Sequence, residues 1–336
     1  MAKPIVAVTM GDPAGIGPEV VLKALAHPAV RRACRPLVLG DSGVLERTAK
    51  KIRSRQKLAP WEPERRWPSG GEIVVYSLSS LAAAQCKPGR PSRACGDAVY
   101  RYVTEAARLA LTGAVDAMAT APLNKKVLQM AGHRYPGHTE LLAELAGVPE
   151  CRMMLLGSKL KVVLATVHLP LMRVARELTR RKIRVTLELA HRGLRNYFAC
   201  SRPRLAVAAL NPHAGEEEIF GHEERTVILP AVRAARRRGI RAIGPLAADS
   251  LFYQAAAGDY DAVICMYHDQ GLIPLKLLHF IGGVAVTLGL PFVRTSVDHG
   301  TAYDIAGKGK ADETSMKEAI LLAAHLACSK KQRRKS

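Results

Sequence analysis

Runs of β-branched and small apolar residues alternate with segments of helical period almost from the first residue. PIVAVTM is followed by PEVVLKALA and PLVLG by SGVLERTAKK; EIVVYSL leads, after a long loop, to a helix from about Asp97 to Thr112 and then to DAMATAP. Beyond residue 130 come helix TELLAELAG, strand KVVLATV, a basic helical stretch to about Phe198, strand RLAVAAL, helix HEERTVILPAVRAARRRG and strand DAVICMY. Strands separated by helices predict βαβ units and a mainly parallel sheet, hence an α/β fold. The last third is rich in glycine turns and closes on the helix ETSMKEAILLAAHLAC. Gln56 to Gly71, with Pro60, Pro63, Pro68 and both tryptophans, reads as a surface excursion, and Lys87 to Arg93 as a further loop. No internal repeat is found.

This pattern gives three histidines a shared context. His168 in KVVLATVHLP, His213 in RLAVAALNPHAGE and His268 in DAVICMYHDQG each arrive just after an apolar run. Ligands of open α/β sheets bind outside the carboxyl ends of strands, where residues distant in sequence converge. A single histidine in such a place more often satisfies a loop than binds a metal. Three together point to neutral imidazoles around a divalent ion, with one coordination position left for substrate.

Composition narrows the partners. The 336 residues, 48% hydrophobic and 24% charged, suffice for two α/β lobes or one large domain. MAKPIVAVTMGDPAG is broken by Gly11, Asp12 and Pro13 and does not read as a signal peptide, and no run has the length of a membrane span. Seven cysteines without a C-x-x-C pair read as reduced thiols of a cytoplasmic protein, with Cys265 a small buried hydrophobe. The net charge of +21 invites a nucleic-acid or acidic-membrane reading. Its lysines and arginines, however, collect in RTAKKIRSRQK, ELTRRKIRVT, VRAARRRGIR and a basic tail at 331–336, on helix faces and a terminus rather than on one stripe. With aromatics at 5%, this argues against a nucleic-acid partner.

Several motifs carry possible chemistry. MGDPAGIGPEVV sets Gly11, Gly15 and Gly17 between a strand and a helix, either as an anion-binding turn or as a plain tight turn; it is neither G-x-G-x-x-G nor a Walker loop. DAMATAPLNKK leads to Asn124, Lys125 and Lys126. In PGHTE, Thr139 reads as a cap for a helix beginning at Glu140, with His138 beside its positive end, where an anion is welcome. Lys276 in HDQGLIPLK and Arg294, Asp298, His299 and Asp304 in PFVRTSVDHGTAYDIAGKG fall in a polar segment of low periodicity, and cations there suit an anionic substrate.

From Val6 nearly to Asp312 the chain resembles the 4-hydroxythreonine-4-phosphate dehydrogenase family of vitamin B6 biosynthesis. The resemblance is carried by TMGDPAGIGPE, TAPLNK, GHTELLAE, LNPHAGE, GPLAADSLF, YHDQGLIPLK and TLGLPFVRTSVDHGTAYDIAGKG. It implies an isocitrate/isopropylmalate dehydrogenase-like α/β fold in one catalytic unit, 1–330, of two subdomains with an intervening cleft: about 1–130 plus a C-terminal segment, and about 131–265. It further implies a homodimer with a shared active site. A divalent metal (zinc, cobalt or magnesium) would be held by His168, His213 and His268, and substrate by His138, Thr139, Lys276 and Arg294. NAD or NADP would take the hydride, with no fingerprint assigning its residues. Asp249 and Asp269 are candidates, by proximity in motif, for orienting ligands or relaying a proton.

The reaction so implied is oxidation of 4-phosphooxy-L-threonine to a β-keto acid that then loses carbon dioxide. Two departures stand out. Ala285 in GVAVTLGLP occupies a position where the family's pattern has a substrate-contacting asparagine, and Glu217 and Glu218 follow NPHAGE where the family commonly has glycine nearby. Loss of one amide contact is worth about 1–3 kcal/mol, enough to alter substrate preference. Ala285 therefore keeps open a paralogue that oxidises 4-phospho-threonate or another small hydroxy acid. A basic nucleic-acid-binding protein on an enzyme fold, the reading from another class, rests on charge alone.

Overall fold

A computed structural model describes residues 2–62, 67–68 and 71–333. The chain forms two units, Met1–Pro149 with Leu290–Cys328, and Glu150–Gly289 with Ser329–Ser336. In chain order the first contains β1 (Ile5–Thr9), α1 (Gly17–Ala26), α2 (Pro28–Ala33), β2 (Arg35–Gly40), α3 (Ser42–Lys51), β3 (Leu58–Pro60), β4 (Ile73–Ser77), α4 (Arg93–Thr112), β5 (Ala117–Thr120), α5 (Lys125–Met130) and α6 (His138–Leu145). The second contains β6 (Arg152–Leu156), β7 (Lys161–Leu164), α7 (Leu171–Glu177), α8 (Arg180–Tyr197), β8 (Arg204–Ala208), α9 (Leu229–Arg237), β9 (Arg241–Leu246), α10 (Ala248–Ala257), β10 (Ala262–Cys265), α11 (His268–His279) and β11 (Val284–Leu288). The chain then returns through β12 (Val293–Val297) and α12 (Thr314–Arg333).

Strands of the first unit follow the order β3-β4-β2-β1-β5-β12, all parallel. Those of the second run β11-β6-β7-β10-β8-β9, with β6 antiparallel to both its neighbours and the rest parallel. Parallel strands are covered on both faces, so they read as continuous apolar runs. Val6, Ala7 and Val8 of β1 and Val263, Ile264 and Cys265 of β10 are fully buried. The α/β class and the mainly parallel sheet are those the alternating pattern predicts.

Helix starts follow local chemistry. The side chains of Asp41, Ser92 and Thr179 accept the backbone N–H of Val44, Cys95 and Lys182, satisfying one orphan donor at the head of α3, α4 and α8. Gly113 ends α4 in the left-handed region, φ 77°. The glycines of MGDPAGIGPE serve packing. A Cβ at Gly17 would lie 2.3 Å from the Met10 carbonyl oxygen, and one at Gly15 2.9 Å from that of Thr301. Buried Asp12 completes the turn, accepting Ala14 N–H at 2.8 Å and the Tyr303 hydroxyl at 2.5 Å. The opening motif is therefore a tight βα turn, filled by its own chain.

Several expectations change. α6 packs on α4, so the first unit runs to residue 149 instead of about 130; β11 pairs with β6, so the second reaches 289 instead of about 265. α6 begins at His138 with Gly137 as its cap residue and no side-chain cap, so Thr139 lies inside the helix and does not cap it. The HDQGLIPLK segment forms most of α11, its period masked by Gly271 and Pro274. HEERTVILPAVRAARRRG divides into a π-helical turn, Glu224–Ile228, and α9. The final helix extends through Arg333, into the predicted basic tail. Residues 334–336, and 63–66 and 69–70 of the surface excursion, lie outside the described residues.

Close helix packing in the first unit depends on Gly96, where a Cβ would lie 2.1 Å from the Val127 carbonyl oxygen of α5. Gly96→Ala is expected to destabilise the protein by about 1–3 kcal/mol or more, read as a fall in denaturant midpoint. Gly300→Ala, whose Cβ would meet nothing within 4 Å, should stay within about 0.5 kcal/mol of the parent.

Candidate active site

In the second unit β7, β10 and β8 are adjacent and parallel, so their carboxyl ends open at one edge. β7 ends at Leu164 and leads to His168, β8 ends at Ala208 and leads to His213, and β10 ends at Cys265 and leads to His268, the first residue of α11. The rings of His168 and His268 lie with centroids 5.7 Å apart, inclined at 41°. Two imidazoles bound through nitrogen at about 2.0–2.1 Å to one tetrahedral ion have centroids roughly 5 Å apart. This pair fits as two ligands of a divalent ion. His268 Nδ1–H donates to Asp269 Oδ1 at 2.7 Å, which leaves its Nε2 lone pair available. His213 is not gathered with them; its ring centroid is 6.3 Å from that of Phe220. Among the described residues no three His, Cys, Asp or Glu side chains group closely enough to hold a metal.

The three strand ends are tied by buried polar side chains. Thr166, beyond β7, donates its hydroxyl to the Met266 carbonyl at 2.7 Å. Gln270, in the first turn of α11, accepts Met266 N–H at 2.7 Å and donates through Nε2 to the Ala209 carbonyl at 2.6 Å. These bonds satisfy backbone groups that leave the sheet ladder yet remain out of water, where an unpaired group costs about 1–3 kcal/mol. Sequence reasoning passed over Gln270 and Thr166. The available signal was their position, two residues from His268 and His168.

The loop bearing His213 has its own support. Buried Glu224 accepts the N–H groups of Leu210 and Asn211, both at 2.8 Å, through Oε1, and Asn211 Nδ2 at 2.9 Å through Oε2. His213 and Ala214 are both left-handed, φ 50° and 58°, a conformation costing about 1–2 kcal/mol per residue with a Cβ. Such strain persists only where the surroundings over-determine it, and it clusters at functional sites. Glu218, one of the two acidic departures, pairs with Arg225 at the surface, which holds its carboxyl below the usual carboxylate range.

Other predicted residues of this unit are more dispersed. Lys276 is half-buried on α11, about 12 Å along the axis from His268 at 1.5 Å per residue. Asp249 is exposed in the first turn of α10, its Oδ1 accepting Ser250 N–H at 2.9 Å. Ala285 lies in β11 within an apolar cluster that includes Leu155, Leu272 and Leu275.

The first unit holds the remaining set. Arg294, on β12, is 3% exposed, and its Nη2 donates to Thr120 Oγ1 at 2.7 Å at the end of β5. His138 is half-buried as a residue, while its Nε2 is enclosed and has no hydrogen-bond partner. Burial, and then the positive charge of Arg294, hold its pKa well below the ordinary 6.5. A neutral imidazole and a buried guanidinium form a donor-rich environment suited to an oxyanion. Thr139 follows His138 in α6, half-buried.

Comparison with known proteins identifies the family of the chain. The family model for the pyridoxal phosphate biosynthetic protein PdxA matches residues 32–323. The chain is 54% identical over 331 residues to a 4-hydroxythreonine-4-phosphate dehydrogenase of Geobacter metallireducens, covering 97% of this chain and 96% of the relative. It is 48% identical over 326 residues to a D-threonate 4-phosphate dehydrogenase of Cupriavidus necator, covering 96% and 97%. Among solved structures, a 4-hydroxythreonine-4-phosphate dehydrogenase from Klebsiella pneumoniae aligns with a TM-score of 0.89 at 46% identity, over 96% of this chain and 99% of that one.

The enclosed His138 makes stability depend on pH. Below about pH 6.5 the unfolded chain takes up a proton that the folded imidazole refuses, so stability is complete above that pH and declines as pH falls. His138→Gln should flatten the decline by up to about 1.4 kcal/mol per pH unit, read from denaturant midpoints at a series of pH values; equal slopes for variant and parent would overturn the assignment.

Proposed function

Because the chain belongs to the PdxA family of pyridoxal phosphate biosynthetic proteins and is a dehydrogenase of that family, we propose that it oxidises 4-phosphooxy-L-threonine in a metal-dependent reaction with NAD or NADP. The product, 2-amino-3-oxo-4-phosphooxybutanoate, then decarboxylates to 3-amino-2-oxopropyl phosphate. The observation that carries this reading is the adjacency of three parallel strands ending towards His168, His213 and His268, with the first and last rings 5.7 Å apart. His168 and His268 would hold the ion, and His213, on the loop after the neighbouring strand and apart from that pair in this structure, would be the third ligand. A divalent ion held there supplies the Lewis-acid charge that makes the substrate hydroxyl a better proton donor.

The chain's own residues divide the remaining work by charge. Asp269 fixes the His268 ring with Nε2 presented. Within the first unit Arg294 and the neutral His138, with Thr139, suit a phosphate or carboxylate, and within the second Lys276 is a cation of the same use. Asp249, exposed and bonded to the neighbouring Ser250 N–H, is a candidate for proton relay. A second substrate reading, D-threonate 4-phosphate, is favoured by Ala285, whose apolar surroundings hold no amide at that position, and by the relative from Cupriavidus necator.

The homodimer belongs to the same proposal. On α11 and just beyond it Ile273, Leu277, Phe280 and Ile281 are largely exposed, Leu277 to 84%, as is Tyr253 on α10. Apolar side chains at such spacing form a stripe that a monomer in water does not favour, and one suited to a self-complementary contact.

Formation of reduced coenzyme from 4-phosphooxy-L-threonine should disappear on chelation and return with added metal. His213→Ala should lower turnover at least about 100-fold while the protein stays folded. Activity that survives exhaustive chelation would refute the metal role, and a higher kcat/KM with D-threonate 4-phosphate would select the second substrate. Leu277→Asp is expected to shift the protein from dimer to monomer in sedimentation velocity; an unchanged dimer would remove α11 from the interface.

A further inference from the structure

Two of the seven cysteines come together in the first unit. Cys86 follows the Gln85 turn, and Cys95 is the third residue of α4; both are buried, at 6% and 0% exposure. Their thiols act on each other, each shifting the other's protonation. Cys95 Sγ also lies 3.2 Å from Ser92 Oγ and 3.8 Å from the Gln85 carbonyl, so it sits beside the backbone leading into Cys86. The hydroxyl of Ser92, the cap residue of α4, accepts Cys95 N–H at 3.2 Å.

Burial alone would make both thiols inert, but Cys86 has an outlet. It lines a cavity of about 230 Å³ whose walls also carry Arg47, Lys51 and Lys87. That space admits molecules the size of hydrogen peroxide, and of its cations Arg47 draws the Cys86 thiol toward the thiolate, against the larger effects of Cys95 and burial. The pair shares its protons unequally. Cys86 is pushed up by its neighbour Cys95 and by burial, while the contact with Cys86 brings Cys95 down to about 7. The pair thus gives up a first proton more readily than a lone buried thiol would, and Cys86, the sulfur that lines the cavity, is the one a peroxide reaches.

We propose that Cys86 and Cys95 form a peroxide-sensitive dithiol that closes to a disulfide, a modification site reached through the cationic cavity. One sulfur, as thiolate, attacks a peroxide oxygen: an S–O bond forms, the O–O bond breaks, and the departing hydroxide takes a proton to become water. The second sulfur, losing its proton, displaces the hydroxyl of the sulfenic acid, which leaves as a second water. Two thiols and one peroxide give one disulfide and two waters. The cross-link joins the Lys87–Pro91 turn to the head of α4, and this turn already touches the glycine turn through Gly89 N–H and the Ala14 carbonyl at 2.8 Å.

The local sequence makes the test direct. Trypsin passes over Lys87–Pro88 and Arg90–Pro91 but cleaves after Arg93, separating the two cysteines. The reduced full-length protein is treated with a small excess of hydrogen peroxide, blocked with N-ethylmaleimide, digested and analysed by mass spectrometry. The expected product is a peptide ending at Arg93 joined through Cys86 to one beginning at Ala94, lighter by two hydrogens than the free pair. Titratable thiols of the denatured protein should fall from seven to five and return to seven with dithiothreitol. Cys86→Ser should abolish this paired loss. Recovery of both peptides as blocked thiols, as separate sulfinates, or cross-linked to other cysteines would overturn the proposal.

Discussion

The second unit depends on the satisfaction of backbone groups where three parallel strands leave their ladder. Parallel strands end abruptly, and the amides and carbonyls beyond the last paired residue are still out of water. Gln270 answers this with a side chain that both accepts and donates, joining the end of β10 to the chain beyond β8, while Thr166 joins the chain beyond β7 to that beyond β10. Replacing either with an apolar residue of similar shape would leave a buried carbonyl or amide orphaned, so the cost falls on the backbone that aims His168 and His268. Positioning of the candidate ligands is thus inseparable from the folding of the sheet.

Much of this was legible because parallel strands buried on both faces must be apolar throughout. KVVLATV, RLAVAAL and DAVICMY therefore announced β7, β8 and β10, and with them the histidines at their ends. β6 was missed because Arg152–Leu156 has methionine and leucine in place of β-branched residues; its antiparallel neighbours, and not its propensity, make it a strand. α11 was obscured because Gly271 and Pro274 interrupt the helical signature, although Gly271 is small for a reason: a Cβ there would lie 2.9 Å from Cys265 Sγ. Thr139 was misread as a cap because local pattern favours threonine there, whereas the backbone of Gly137 turns the chain. Which residues share a unit was beyond sequence, since α6 and β11 are assigned by partners far away along the chain.

Charge in this protein is arranged more locally than its net value suggests. The +21 total is distributed over helix faces with acidic partners at helical spacing, as in Arg173–Glu177 and Arg184–Glu188. Exposed pairs of this kind contribute little energy. Among the described residues the cation most withdrawn from water is Arg294, and its field reaches His138. A neutral donor beside a permanent cation lets an anion be bound without a second buried charge, whose desolvation would offset the attraction.

The two left-handed residues at His213 and Ala214 say something about how the loop keeps its shape. Glycine at 214 would relieve the native conformation, but it would also enlarge the set of conformations open to the unfolded chain and to the loop itself. Alanine accepts the strain and narrows both ensembles. With Glu224 gripping the approach to it, the His213 loop is a stiff bracket and not a swinging lid, its strained backbone held to one shape by its own surroundings.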